Sequence, residues 1–178
     1  MTDAPLPLAA TLYELSESDC EPLRGGHYAH VYRFRRAGRE YVLRLAPPND
    51  ESNVPAQRSI LAWMATLAAH GASVPAPLPS REGNLIEVVP GPEGDWLVTA
   101  FTQAKGILSE ELPIEQWDGP LFQVLGRAIG RVHAIARQYV LPAGASYPDW
   151  DTGGNMFNLG IRNEPWLEEK QARILERI

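Results

Sequence analysis

Residues 40–45 (EYVLRL) alternate strictly, placing Tyr41, Leu43 and Leu45 on one face and Val42 and Arg44 on the other. That is the signature of a half-buried strand. Just upstream, Tyr28 to Phe34 (YAHVYRF) is rich in aromatic and β-branched residues, and Arg35-Arg36-Ala37-Gly38 is a turn signal. Cys20 to Leu23 is a short strand candidate that runs into Arg24-Gly25-Gly26. The spacing therefore predicts three successive antiparallel strands, a meander.

The rest of the chain extends this sheet and then leaves it. Residues 6–15 (LPLAATLYEL) have helical apolar spacing ahead of the meander. After the breaker Pro47-Pro48-Asn49-Asp50, a helix is expected from about Val54 to Ala69, with Ile60, Leu61, Met64, Leu67 and Ala68 apolar and Gly71 as its stop. VPAPLPS (74–80) reads as an extended connection. Leu85 to Val89 and Trp96 to Phe101 read as two more strands, joined by the turn-prone 90–94 segment. The expectation is α+β: a five-stranded antiparallel sheet with one helix, complete near residue 101. Beyond it, Phe122 to Tyr139 spaces Val124, Leu125, Ile129, Val132 and Ile135 helically, with arginines opposite. Trp166 to Ile178 is helical again, with Leu167, Ile174, Leu175 and Ile178 apolar, so self-association through the apolar face of 166–178 is one expectation.

Composition limits the partners. A net charge of −6 argues against non-specific binding to nucleic acid or to an anionic membrane. No run of 18 apolar residues occurs, Cys20 is alone, and the start MTDAPLPLAA has no basic n-region, so a cytoplasmic location is expected. Lys105 and Lys170 are the only lysines among 16 basic residues. Any buried cationic task in the first hundred residues therefore falls to arginine or histidine.

Binding a nucleoside triphosphate requires backbone N–H groups near the phosphates, a fixed cation and an apolar slot for the base. Leu23 to Tyr32 puts Gly25 and Gly26 at the tip of a strand–turn–strand, where the missing Cβ permits close backbone approach. No GxxxxGK[ST] sequence occurs, so this is not a Walker A loop. A plain hairpin turn would also satisfy these residues. After the hairpin come a strand with a central cation (Arg44), a helix, two strands and a connector. This order resembles the small lobe of protein-kinase-like enzymes.

The phrases GGHYAHVYRF…REYVLRL, HGASVPAPLPSREGNLIEVV, WLVTAF and LGRAIGRVHAIAR together resemble the aminoglycoside phosphotransferase family, which also includes choline- and homoserine-kinase relatives. The resemblance runs from about residue 12 to about residue 170. It implies a nucleotide-binding lobe over 1–103, followed in 104–178 by a linker and the first helices of a helical lobe. It implies ATP, or GTP in its place, under the hairpin. Gly25, Gly26 and His27, with backbone to about His30, would cover the phosphates, Val31 would sit over the base, and Arg44 would be the phosphate-pairing cation. An exposed arginine in a surface ion pair is the alternative for Arg44. The Ala100 carbonyl and the Thr102 N–H would meet the base edge, with Thr99 behind.

The pattern then departs from the family. Ile60 stands where a glutamate usually pairs the strand cation, with Glu51 and Gln57 the nearest polar options. Of Asp3, Asp19, Asp50, Asp95, Asp118, Asp149 and Asp151, none has Asn five residues on, the spacing of the family's catalytic loop. Asp151 and Asn155 in DTGGN are four apart, and Asp149-Trp150-Asp151 only mimics a metal motif. No catalytic residue or metal ligand is therefore assigned within the chain. The four histidines, His27, His30, His70 and His133, have no metal-site spacing, and His133 reads as a core or edge residue. Glu110, Glu111, Glu115 and Asp118 form an acidic cluster that would suit a cationic substrate or a solvated loop.

The resulting expectation is the N-terminal portion of an ATP-dependent phosphotransferase acting on a small-molecule hydroxyl. Catalytic loop, Mg2+ ligands and most of the substrate pocket would lie past Ile178, leaving the chain alone inactive. The alternative is a non-catalytic nucleotide-binding or protein-interaction module.

Overall fold

The structure is a computed structural model that describes residues 4–23, 29–47, 54–91, 93–107 and 111–145. The described elements run α1 (Leu6–Thr11), β1 (Glu21–Pro22), β2 (His30–Arg36), β3 (Arg39–Ala46), α2 (Val54–Ala69), β4 (Pro77–Leu78), β5 (Glu87–Gly91), β6 (Gly94–Thr102) and α3 (Gly119–Ala136). One antiparallel sheet holds all six strands, in the order β1-β2-β3-β6-β4, and β5 also pairs with β6. The sheet thus has six strands rather than five, because Pro77 and Leu78 of the proline-rich connection pair with Phe101 and Ala100.

The expected four-residue turn is narrower than its composition implies. Arg36 pairs with Arg39, leaving Ala37 and Gly38 as a two-residue loop with φ of 50° and 74°. Two positive φ values in a two-residue loop match the right-handed twist of the flanking strands. The hairpin stem carries Arg35–Glu40 as a cross-strand ion pair, and Arg36 reaches Glu14 at 2.7 Å.

Helix α1 is also shorter than expected. Glu14 adopts φ 60°, Glu14 N–H donates to Thr11 O, and Leu15 N–H donates to Ala10 O. That bond pair is the Schellman ending, here built on a glutamate instead of glycine. Helix α2 ends in the same way on Gly71, as its sequence predicts: φ is 78°, with Ala72 N–H to Leu67 O and Gly71 N–H to Ala68 O.

The sheet buries both faces. On one, Phe34, Leu43, Leu45, Trp96, Val98 and Ala100 pack with Leu6, Ala9, Ala10 and Tyr13 of the α1 segment. On the other, Ala46, Leu97 and Ile86 pack with Leu61 of α2. Helix α3 starts on Asp118, whose carboxylate accepts Leu121 N–H at 3.0 Å. It contributes Ile135 and, in part, Val132 to a small cluster with Leu67 and Ala72. Val124, Leu125 and Ile129, the rest of its expected apolar set, are about half exposed among the described residues. His133 is exposed, not a core residue. The expected helix 166–178 and the DTGGN loop lie outside the described residues, as do Glu51 and Glu110.

Candidate functional site

Sheet register decides which candidate residues share a surface. Val31 lies opposite Arg44, and Arg44 lies opposite Thr99. Directly opposed residues of an antiparallel pair project to the same side, so β2, β3 and β6 place Val31, Arg44 and Thr99 in one row. Val42 and Phe101 form the next row on that side. This is the face that carries Ala46 and Leu97 and packs against α2. Val31 and Arg44 are half-buried and Thr99 is buried. The alternation read from 40–45 thus delivers Arg44 to the α2 side, while Tyr41, Leu43 and Leu45 go to the α1 side as expected.

Thr99 Oγ1 is buried and finds no hydrogen-bond partner among the described residues. Gln103 Oε1 is in the same condition. Gln103 N–H donates to Glu40 O, so the residue continues the β3–β6 ladder one step past the strand and keeps the parity of Thr99 and Phe101. Buried polar side-chain atoms are normally hydrogen-bonded. These two orphaned oxygens, one in Arg44's row and one further along the same face of β6, fit a site that receives a polar ligand such as a nucleotide. Sequence reading missed Gln103, although its spacing from Thr99 by four along a strand was the available signal.

The two residues expected at the base edge have partners within the sheet. Thr102 N–H donates to Ala76 O at 2.9 Å, and Thr102 Oγ1 accepts Ala76 N–H at 2.8 Å. Ala100 sits between Leu43 and Leu78 in the paired sheet, with its methyl in the α1-side core. The short strand β4, unrecognised in the sequence, takes up the edge that these two residues were expected to offer. Beyond them the chain passes along an open groove of about 870 Å3, lined by Glu40, Tyr41, Thr102, Gln103, Ala104 and Lys105 among others.

Gly25, Gly26 and His27 lie outside the described residues. His30 is half-buried, its ring centroid 5.5 Å from that of Trp96. Helix α2 contains no Asp or Glu, and Ile60 is half-buried on it, so the helix itself offers no carboxylate to Arg44. Asp118 of the acidic cluster serves as the α3 cap. A second cavity, about 360 Å3, lies between α2 and α3 beside Thr66, His70, Arg131 and Tyr139, where Arg131 donates to His70 O at 2.6 Å.

A family model described as "Phosphotransferase enzyme family" matches residues 19–173, which span β1 to α3 and beyond. The chain belongs to that family. Amicoumacin kinase of Bacillus subtilis (strain 168) is 27% identical over 146 residues, which make up 82% of this chain and 38% of that protein. A solved amicoumacin kinase, in complex with AMP-PNP, Ca2+ and Ami, superposes with a TM-score of 0.70 at 26% identity, over 82% of this chain and 43% of that one. A microcompartment-associated aminopropanol kinase shares the fold, with a TM-score of 0.67 at 23% identity over 84% of this chain and 45% of that one. The chain thus spans less than half the length of these relatives. Its antiparallel sheet with flanking helices is the kinase-like small lobe of the family.

Proposed function

We propose that this chain is the nucleotide-holding lobe of a phosphotransferase that acts on a small-molecule hydroxyl. The observation that carries the reading is the Val31–Arg44–Thr99 row, with the buried side-chain oxygens of Thr99 and, further along the same strand face, Gln103 lacking a hydrogen-bond partner among the described residues, in a chain of this family. A relative solved with AMP-PNP supports an adenine nucleotide, with GTP the alternative.

When bound, a nucleoside triphosphate supplies the phosphoryl group for transfer. Arg44 holds its phosphates, offering a planar fork of donors where a lysine would offer a point charge. Gly25, Gly26 and His27, expected from the sequence to cover those phosphates, lie outside the described residues. Val31 and Val42 form the apolar wall against the base. Because Thr102 N–H and the Ala100 pair are committed to the sheet, the base edge meets the next groups along, the Thr102 carbonyl and Ala104 N–H. Gln103 closes the slot from the same side. No Asp in the 178 residues has Asn five positions on, so nucleotide binding without turnover is the behaviour expected of this chain by itself.

The experiment is a thermal-shift titration with MgATP. At 100 times Kd, a ligand adds about 2.7 kcal/mol, which for a chain of this size raises Tm by about 5–10 °C. Absence of a shift in the wild type removes the nucleotide reading. An equal shift in Arg44→Ala removes the role of Arg44 and leaves the rest standing.

A further inference from the structure

Arg44 can serve a triphosphate only if its long side chain is held in one direction, and the helix facing it supplies no carboxylate for that purpose. Val54–Ala69 contains neither Asp nor Glu. The strand on the other side of Arg44 does supply a polar atom. Thr99 is the direct cross-strand partner of Arg44, is 5% exposed, and keeps Oγ1 buried with no hydrogen-bond partner among the described residues. Its same-face neighbours on β6, Leu97 and Phe101, are apolar, so the Thr99 hydroxyl is the side-chain acceptor that β6 brings beside Arg44.

A hydroxyl has two acceptor lone pairs, and a guanidinium has five N–H donors. One of these can go to Thr99 alongside whatever else the fork holds, leaving others for phosphate oxygens. A β-branched side chain is also stiff at χ1, which fixes where the oxygen points. We infer that Thr99 is a positioning residue. In the triphosphate-bound lobe its hydroxyl accepts an N–H of Arg44 and, alongside the other partners of that side chain, aligns the fork on the phosphates. The inference rests on the nucleotide reading above and extends it.

The test is calorimetric titration of the full 178-residue chain with MgATP and, separately, with adenosine. The variants are Thr99→Val, Thr99→Ser, Arg44→Ala and the Thr99→Val/Arg44→Ala double. Valine keeps the shape and removes the orphaned oxygen, so Thr99→Val melts no lower than wild type. It nevertheless binds MgATP about tenfold more weakly, the loss expected for one hydrogen bond to a charged group. Adenosine affinity changes by less than about twofold, because adenosine lacks the phosphates that Arg44 would hold. Thr99→Ser retains MgATP affinity within about threefold, and in the Arg44→Ala background Thr99→Val adds no further loss.

Unchanged MgATP affinity in Thr99→Val overturns the inference. An equal loss for adenosine and MgATP also overturns it, by assigning the hydroxyl to the nucleoside. So does an undiminished loss in the Arg44→Ala background. In each of these cases wild-type binding stands, and the nucleotide reading with it. Failure of the wild type itself to bind MgATP removes both.

Discussion

Alanine at Gly91 is the substitution for which the geometry gives the clearest magnitude. A Cβ built there lies 2.5 Å from both Cδ1 and Nε1 of Trp96. Comfortable carbon contacts are about 3.5–4.0 Å, so the indole or the β5–β6 turn must give way by about 1 Å. The indole has little room, because Trp96 is 1% exposed, lies opposite Val89, and has the His30 ring against it. Overpacking of this kind costs about 1–3 kcal/mol. The alanine recovers about 0.4–1 kcal/mol by restricting the unfolded chain. The net loss of about 1–2 kcal/mol lowers Tm by about 2–8 °C in a chain of this length. Circular dichroism melts at 222 nm, with the near-ultraviolet tryptophan band as a second readout, measure it. Gly126→Ala is the matched control, since a Cβ there meets nothing within 4 Å among the described residues and alanine favours the α3 helix. That variant melts about 2–4 °C higher. A Gly91→Ala protein that melts at or above wild type refutes the claim that Trp96 is clamped against the turn that sets β6.

Two further outcomes follow from the caps. Asp118→Ala removes the acceptor for Leu121 N–H at the start of α3 and costs about 1 kcal/mol, seen as a Tm lower by about 2–4 °C; an unchanged Tm contradicts the cap. At Asp19, the Ser16 hydroxyl and then the Ser16 backbone N–H hold the carboxylate below its ordinary 3.8. A depressed folded-state value means that this contribution to stability is present above about pH 4 and fades as pH falls through the folded value. Carboxyl NMR titration should place the Asp19 midpoint below 3.8 and move it upward in Ser16→Ala, whereas a wild-type midpoint at or above 3.8 contradicts the assignment.

The faces of the sheet were legible in the sequence because a period of two leaves little choice. EYVLRL with one apolar set had to turn Tyr41, Leu43 and Leu45 to one core and Arg44 away from it, as the register shows. Gly71 was legible as a helix stop for a similar reason, since a left-handed C′ residue is most easily a glycine. Glu14 escaped notice because it does the same job with a side chain that gives no such signal, assisted by its ion pair to Arg36. Pro77 escaped because proline argues against a strand interior, yet at a sheet edge it loses nothing by lacking an N–H. That omission carried into the site. Without β4, Ala100 and Thr102 looked like a free strand end. With it, Thr102 N–H belongs to Ala76, and the proposed base contacts shift to the next groups along the chain. Val31, Arg44 and Thr99 could each be nominated from sequence, but their alignment in a single row is a property of register, which only pairing partners fix. The same holds for the orphaned oxygens of Thr99 and Gln103, which become visible only once burial is known.

The central claim, that this lobe holds a nucleotide on the α2-side face of its sheet, is tested most directly by mapping amide shifts on MgATP addition. Saturable changes are expected at Val31, Arg44, Thr99 and Gln103–Ala104, with the α1-side residues Leu6, Ala9 and Ala10 unmoved. Changes centred instead on Thr66, His70 and Arg131, at the cavity between α2 and α3, or no saturable changes at all, would contradict it.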